Sequence, residues 1–354
     1  MITEDFWRGK RVFLTGHTGF KGGWLALWLT ELGAEVHGYA LTPPTDPNFF
    51  TVCTLEDRQT RSTLADIRDA DALTRSLQTA KPEIVFHLAA QPLVRHSYSE
   101  PVDTYSVNVM GTVNLMEAVR HIPGVRAVVN VTTDKCYENR DWIWPYRENE
   151  AMGGFDPYSS SKGCSELITA AYRRSFLAPA GIHLASARAG NVIGGGDWAP
   201  DRLIPDCLRA LDSKQPLLIR SPSATRPWQH VCEPLSGYLL LAERLCTNGE
   251  EYAEAWNFGP DTSDTRSVQW IVEHLYSRLP DARWKTETSA QPHEAHSLML
   301  DSAKARTLLG WRPRWNLSTA LDMTLAWHHA WRQGQDVAAL SLQQIHQFMA
   351  AQPA

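Results

Sequence analysis

Over the first half of the chain, short apolar runs alternate with stretches of helical periodicity. Val12, Phe13 and Leu14 lie inside 10–16, a run of the length of a buried strand. Trp24, Leu25, Leu27, Trp28 and Leu29 then recur at helical spacing through 21–32, and Gly33 stands where a helix C-cap is expected. The pattern predicts further strands over 35–41, 63–67, 84–90 and 125–133, with helices near 70–79 and 101–121 between them. Strands alternating with helices require right-handed crossovers, and hence a parallel sheet covered on both faces. From about residue 190 the texture changes: Gly194-Gly195-Gly196, frequent prolines and short strands such as 217–219 mixed with helices describe a smaller lobe. Segments of 231–260 belong either to that lobe or to the first sheet. A Trp-rich amphipathic helix over 317–331 closes the series.

Composition narrows the class. A length of 354 residues allows about two domains, expected over 1–190 and 191–354. A net charge of −5 points away from nucleic acid and membrane surfaces. No apolar run approaches the ~18 residues of a membrane span, and Thr3-Glu4-Asp5 does not open a signal peptide. Six cysteines without a Cys-x-x-Cys pair fit reduced thiols in a cytoplasm better than disulfides or a zinc ribbon. The sequons at Asn130 and Asn316 are then read as chance. His328 and His329 are adjacent rather than one helical turn apart, so no metal site is expected.

Between the first strand and the first helix stands Thr15-Gly16-His17-Thr18-Gly19-Phe20-Lys21-Gly22. Glycines at intervals of three let the backbone turn tightly and approach a pyrophosphate resting on the helix N-terminus. This predicts a Rossmann-type α/β domain binding a dinucleotide. The second strand ends Tyr39-Ala40-Leu41-Thr42, without the usual ribose-binding acid. No Lys or Arg occurs from 36 to 57 to neutralise a 2′-phosphate, so NAD is preferred over NADP, with Thr42 a candidate hydroxyl partner. Asp66 and Ile67 are candidates for the adenine, or Asp66 for a helix N-cap. The small side chains of Ala89 and Ala90 leave room for a cofactor across the strand ends, and Asn108 lies opposite them, where it can order the surroundings of Lys162.

Asp156-Pro157 is a helix start, aspartate as N-cap and proline as first helical residue. Tyr158 and Lys162 follow at i, i+4 on one face. A free phenol has a pKa near ~10 and is a poor base at neutral pH; a neighbouring ammonium and a nicotinium charge favour the phenolate. Thr133-Asp134-Lys135 adds a hydroxyl, an acid and a cation. Adjacent residues on a strand face opposite ways, so Asp134 and Lys135 act together only if the chain leaves extended geometry there.

Together, Thr15-Gly16-x-x-Gly19-Phe20-x-Gly22, His87-Leu88-Ala89-Ala90 and Tyr158-x-x-x-Lys162 resemble the extended short-chain dehydrogenase/reductase family of NAD-dependent epimerases and dehydratases. The longer strings 16–24, 131–139, 188–198 and 225–231 are similar to its CDP-glucose 4,6-dehydratase branch, over about residues 6 to 332. The resemblance implies a lyase acting on CDP-glucose with NAD. Tyr158 takes the 4-hydroxyl proton, Thr133 bonds the same oxygen, Lys162 bonds a cofactor ribose, and Asp134 gives a proton to the departing C6 hydroxyl. Lys135 stands where related dTDP-sugar enzymes carry a glutamate; it is a base of lowered pKa, a stabiliser of enolate charge, or a surface ion pair. Implied cofactor contacts are Gly16, Thr18, Gly19, Phe20, Gly22, Asp66, Ile67, Leu88, Ala89, Ala90, Asn108 and Thr132. Implied substrate contacts are Gln91, Arg95, Asn191, Arg202, Leu203, Ile219, Arg226 and Glu294. Also implied are a homodimer or tetramer pairing through two helices per subunit, one bearing Tyr158, and bacterial deoxysugar supply for O-antigen. The alternatives are a 4-epimerase, a dehydratase for another nucleotide, or a non-catalytic NAD sensor.

Overall fold

The computed structural model describes residues 2–58, 60–279, 283–287 and 298–352. Its strands, in chain order, are β1 (Arg11–Thr15), β2 (Glu35–Ala40), β3 (Thr60–Leu64), β4 (Ile84–His87), β5 (Ala127–Val131), β6 (His183–Ala189), β7 (Asn191–Ile193), β8 (Leu217–Ile219), β9 (Thr225–His230), β10 (Ala255–Phe258), β11 (Thr265–Ser267) and β12 (Trp284–Thr286). Seven of them form one parallel sheet in the order β10-β6-β5-β4-β1-β2-β3. This is the expected doubly wound arrangement.

Side chains alternate between the two faces of a strand, and the sheet shows it. Val12, Leu14, Ile84, Phe86, Val129, Ala185 and Ala187 enter one core, while Phe13, Val85, Val128 and Leu184 enter the other. Helix Phe20–Glu31 is buried from Gly22 to Leu29 without a polar face, because it lies between the sheet and the last helix, Val337–Ala350.

The expected second lobe, from 191 onward, is not continuous in space. Helix Cys232–Thr247 packs on β5 and β6, and β10 pairs with β6 as the outermost strand of the first sheet. The smaller lobe consists of β7, β9 and β11, the pair β8 and β12, and helices Leu203–Asp212 and Val268–Tyr276. Helix Leu317–Arg332 serves both cores: Leu317, Leu321 and Leu325 pack in the lobe and Trp327 in the first domain. Gly195 makes room for it, since a Cβ there would lie 2.0 Å from the Trp327 ring.

Two elements differ from the sequence reading. The third strand begins at Thr60, three residues before the expected 63. The helix expected over 101–121 runs as Pro101–Tyr105, a π-helical turn Ser106–Met110 and Gly111–Val119, and a further short helix, Val94–Ser99, precedes it. The π turn carries Asn108, whose amide holds the main chain at Gln91 through 2.8 Å and 3.0 Å hydrogen bonds. The sequon asparagines have structural partners: Asn130 is buried and donates to Ser165 and Thr169, and Asn316 caps helix Leu317–Arg332. All six cysteines are free thiols. Among the described residues no helix is long and apolar enough to cross a membrane.

A buried ion pair anchors helix Pro157–Tyr172 to the sheet. Glu166 meets Arg188 of β6 at 2.8 Å, and both side chains are only 4% exposed. The carboxylate also accepts from Ser186 at 2.6 Å and Thr132 at 2.5 Å, while Arg188 donates to the Tyr137 hydroxyl at 2.6 Å. Burial pushes the Glu166 carboxyl upward, but Arg188 and the two hydroxyls outweigh it and hold it below the usual carboxylate range. Glu166→Gln leaves Arg188 buried without a counter-charge and is expected to cost about 3–5 kcal/mol, read as a lower urea midpoint at unchanged m-value. A midpoint equal to that of the unmodified protein would contradict this.

Candidate active site

The glycines of the first loop divide by function. Gly16 has φ +80°, and a Cβ there would lie 2.8 Å from Ala89 N. At Gly22 a Cβ would lie 2.0 Å from the Gly16 carbonyl oxygen. These two are fixed by the turn and by helix–strand packing. Gly19 is different: it is the N-cap of helix Phe20–Glu31, a Cβ there would meet only ordinary contact at 3.4 Å, and no side chain caps the helix. The first-turn N–H groups therefore face an approach suited to a phosphate. Thr18 pins the loop by donating to Leu41 O at 2.9 Å, and the Thr15 hydroxyl accepts from Leu88 N and Ala89 N, each at 3.1 Å. Phe20 packs at the edge of the first core. His17, not singled out from sequence, is buried over Gly38 and bonds Ser62 at 2.7 Å. Burial brings its pKa down to about 4, so it is a neutral packing group.

Asp66 does not cap the following helix; Asp69 does. The Asp66 carboxylate is instead held by Arg68, through its backbone N–H at 2.8 Å and its guanidinium at 2.6 Å, and Arg68 also meets Asp103 at 2.7 Å. Ile67 is buried against Gly111. Thr42 is exposed beyond the end of β2. Asn108 donates to Ser161 at 2.9 Å, one residue from Lys162, as well as holding Gln91.

At the end of β5 the chain does leave extended geometry. Thr133 is extended, with φ −152° and ψ 162°, and Asp134–Cys136 form a 3-10 turn. Helix Pro157–Tyr172 begins as expected, Asp156 accepting from Ser159 N at 2.9 Å and Pro157 entering the first turn. Tyr158 and Lys162 are buried on its inner face, and Lys162 donates to Val131 O at 3.3 Å. The Thr133 hydroxyl donates to Asp134 Oδ1 at 3.0 Å, and Thr133 also pulls the Tyr158 phenol down. Tyr158, Thr133 and Asp134 are thus one cluster, with Lys162 beside it.

Burial dominates the electrostatics. It brings Lys162 down to about 8, against the opposing charge of Glu166. It pushes the Tyr158 phenol up to about 12, with Thr133 and Arg202 pulling the other way. The expectation that Lys162 draws Tyr158 toward phenolate is therefore corrected for the chain alone: desolvation wins, and the cation acting on the phenol is Arg202. Asp134 is 3% exposed, and burial raises its carboxyl above the usual range despite Lys135, Thr133 and Arg226. Burial thus favours its protonated form, the form a general acid needs.

The proposed substrate residues separate. Arg202 and Arg226 both face the cluster, since their charges act on Tyr158 and Asp134 respectively. Arg202 is steadied by Asp197 at 2.9 Å, and Arg226 is buried on β9. Asn191 opens β7, beside Trp228 of β9. Arg95 pairs with Asp201 at 3.1 Å. Gln91 spends its amide on the loop itself: it accepts from Leu93 N at 2.6 Å and donates to Leu93 O and Thr104. It positions the loop rather than offering a free amide to a sugar. Ile219 is 2% exposed inside the lobe core, while Leu203 is half-buried against that core. Glu294 lies outside the described residues.

Four features were not singled out from sequence. Lys21 and Tyr238 feel the Asp134 charge, and the Lys21 ammonium lies 5.8 Å from the centre of the Tyr238 ring. The Glu166–Arg188 pair holds the cluster from behind. Gly190 leaves room for the acid, because a Cβ there would lie 3.0 Å from Asp134 Oδ2 and 2.9 Å from the Pro227 ring. Only the glycine within Arg188-Ala189-Gly190-Asn191 gave any signal. Gly190→Ala is expected to lower kcat roughly ten- to a hundredfold by displacing the carboxyl, with circular dichroism unchanged. Full activity would show that this position does not govern the acid.

The family model for GDP-mannose 4,6 dehydratase matches residues 13–324. The chain is 55% identical to a CDP-glucose 4,6-dehydratase of Salmonella typhimurium, over 99% of each chain. It is 27% identical to a probable dTDP-glucose 4,6-dehydratase of Sinorhizobium fredii, over 90% of this chain and 92% of that one. Among solved structures, dTDP-glucose 4,6-dehydratase of Streptomyces venezuelae with NAD bound superposes with TM-score 0.77 at 24% identity, over 93% and 99% of the two chains. A UDP-N-acetylglucosamine 4-epimerase of Methanobrevibacter ruminantium gives 0.79 at 20% identity, over 92% and 99%. The chain belongs to the GDP-mannose 4,6 dehydratase family of nucleotide-sugar dehydratases.

Proposed function

We propose that the chain is an NAD-dependent lyase that converts CDP-D-glucose to CDP-4-dehydro-6-deoxy-D-glucose and water. The observation that carries this reading is Asp134, a buried carboxyl raised by burial and hydrogen-bonded to Thr133 beside Tyr158. A 4-epimerase, whose fold is equally close, has no leaving hydroxyl to protonate. Bound NAD supplies a hydride acceptor for C4 and a hydride donor for C6.

The chain's own residues supply proton transfer and position. Tyr158 takes the 4-hydroxyl proton, and Thr133 bonds the same oxygen. The resulting ketone acidifies C5, and Asp134 donates to the departing C6 hydroxyl. Lys162, which lies with Tyr158 on the inner helix face, would hold a cofactor ribose. Gly19 would leave the helix N-terminus open to the cofactor pyrophosphate, on a turn that Gly16 and Gly22 allow. NAD rather than NADP is supported by Arg68, whose charge is already taken by Asp66 and Asp103. Arg202 and Arg226 suit the substrate diphosphate, since a guanidinium fork bonds two phosphate oxygens. The choice of cytidine is supported by the 55% identical relative.

The reading extends to assembly and setting. Helices 94–119 and 157–177 leave Val102 81% and Leu167 61% exposed, with Met110 also at the surface, which supports pairing of two copies there. Six free thiols support a reducing cytoplasm, and a 4-keto-6-deoxy sugar supports supply of deoxyhexoses for a surface polysaccharide such as O-antigen.

Incubation with CDP-glucose, dTDP-glucose and GDP-mannose, followed by alkaline absorbance of 4-ketosugars, tests the proposal. The highest kcat/KM is expected with CDP-glucose. A higher value with another nucleotide overturns the base assignment; an epimerised sugar that keeps its 6-hydroxyl overturns the lyase.

A further inference from the structure

Asp134 sits between two holds that end on the same ion pair. Two residues before it, Thr132 donates to Glu166 at 2.5 Å. Three residues after it, the Tyr137 hydroxyl accepts from Arg188 at 2.6 Å. Glu166 and Arg188 are themselves joined at 2.8 Å. The 3-10 turn Asp134–Cys136 is thus fastened at its entry through the carboxylate and at its exit through the guanidinium. The two arms of Arg188 divide accordingly. Nη2 reaches Glu166, on the helix of Tyr158 and Lys162, and Nη1 reaches Tyr137, at the end of the turn that carries Asp134.

The exit hold is built around the Tyr137 hydroxyl. The residue is extended, with φ −78° and ψ 151°, and is 1% exposed. Its ring centre lies 4.9 Å from the Arg188 guanidinium and 5.2 Å from the Tyr146 ring, on which it stacks. While accepting from Arg188, the hydroxyl donates its one proton to Asn257 Oδ1 at 2.7 Å. Arg188 of β6 and Asn257 of β10 are register partners in neighbouring strands, so the hydroxyl bridges the two. Asn257 is fixed in turn, its amide donating to Tyr146 O at 2.9 Å and to Asp301 O at 3.2 Å. Strand β10, which returns to the sheet from the smaller lobe, therefore supports the turn. Ring packing confines Tyr137 to a layer, and two short directional bonds fix its place within that layer. A slip there reaches the acid, whose Oδ2 would be only 3.0 Å from a Cβ at Gly190.

We propose that Tyr137 is a positioning residue for the elimination step: its hydroxyl, held between Arg188 and Asn257, fixes the exit of the turn and so aims the Asp134 carboxyl at the C6 hydroxyl. This rests on the dehydratase reading above. Tyr137 acts through Asp134 and touches neither sugar nor cofactor. Thr133 and Tyr158, which serve C4 oxidation, are held from the other side, through Thr132 and Glu166. The two half-reactions therefore lean on different partners of one ion pair.

The test uses Tyr137→Phe, which keeps the ring and removes only the hydroxyl, and Asn257→Ala, which removes the acceptor on the other strand. Single-turnover reaction with CDP-glucose separates the steps: nicotinamide absorbance reports C4 oxidation, and formation of the 6-deoxy product reports water loss. In both variants C4 oxidation is expected to stay within about threefold of the unmodified protein while water loss slows roughly ten- to a hundredfold. NADH absorbance should then accumulate before it decays, with KM for CDP-glucose little changed. Equal slowing of both steps would make the hydroxyl a general support of the fold and overturn the assignment. Water loss at the unmodified rate in Tyr137→Phe, or in Asn257→Ala should the first variant fail to fold, overturns it as well. Absence of any 4-ketosugar from the unmodified protein would instead overturn the dehydratase reading.

Discussion

The Glu166–Arg188 pair sets the spacing on which the candidate chemistry depends. Tyr158, Lys162 and Glu166 occupy i, i+4 and i+8 of one helix, so the two candidate reactive groups and the anchor share a single face. Glu166 grips β6 through Arg188 and Ser186, and the end of β5 through Thr132. Thr133 and Asp134 follow directly. A buried pair of this kind is a modest source of net stability but a strict one of geometry, because either partner alone is costly to keep from water. It holds the helix that bears the phenol against the strand end that bears Thr133 and Asp134.

Burial then gives the pocket its character. It raises Asp134 and Tyr158 and lowers Lys21 and Lys162, driving each toward its uncharged form. The carboxyl and the lysines move toward neutral pH, where proton exchange is most effective, while the phenol moves away from it against the pull of Thr133 and Arg202. Arg202 and Arg226, which stay charged, suit a diphosphate at the edge of the same space. The cluster is therefore matched to a reaction that moves protons and a hydride within one sugar, without net change in the cofactor.

Much of this was legible in the chain because it is local. The glycine loop, the Asp156-Pro157 start and the Tyr158/Lys162 spacing each depend on neighbours within a few residues, and each stands where expected. What escaped depends on contacts between distant segments. Strand β10 joins the first sheet after an excursion through the smaller lobe, one of the two placements left open for 231–260, and periodicity does not decide between them. Gln91 carries the composition of a ligand contact, but its amide is consumed by Leu93 and Thr104. Ile219 occupies a core, not a wall. Lys21 was hidden by its company: among loop glycines a lysine passes for a solvated side chain, and only the folded neighbourhood of Arg202, Lys162 and Asp134 gives it another character.

The central claim is that a ketone formed transiently at C4 is what allows the C6 hydroxyl to leave, with one cofactor molecule carrying the same hydride out and back. The most direct measurement is the fate of deuterium placed at C4 of CDP-glucose. The account predicts that the label reappears in the methyl group of the 4-keto-6-deoxy product, within the same molecule. Label retained at C4, or lost to cofactor free in solution, would contradict it.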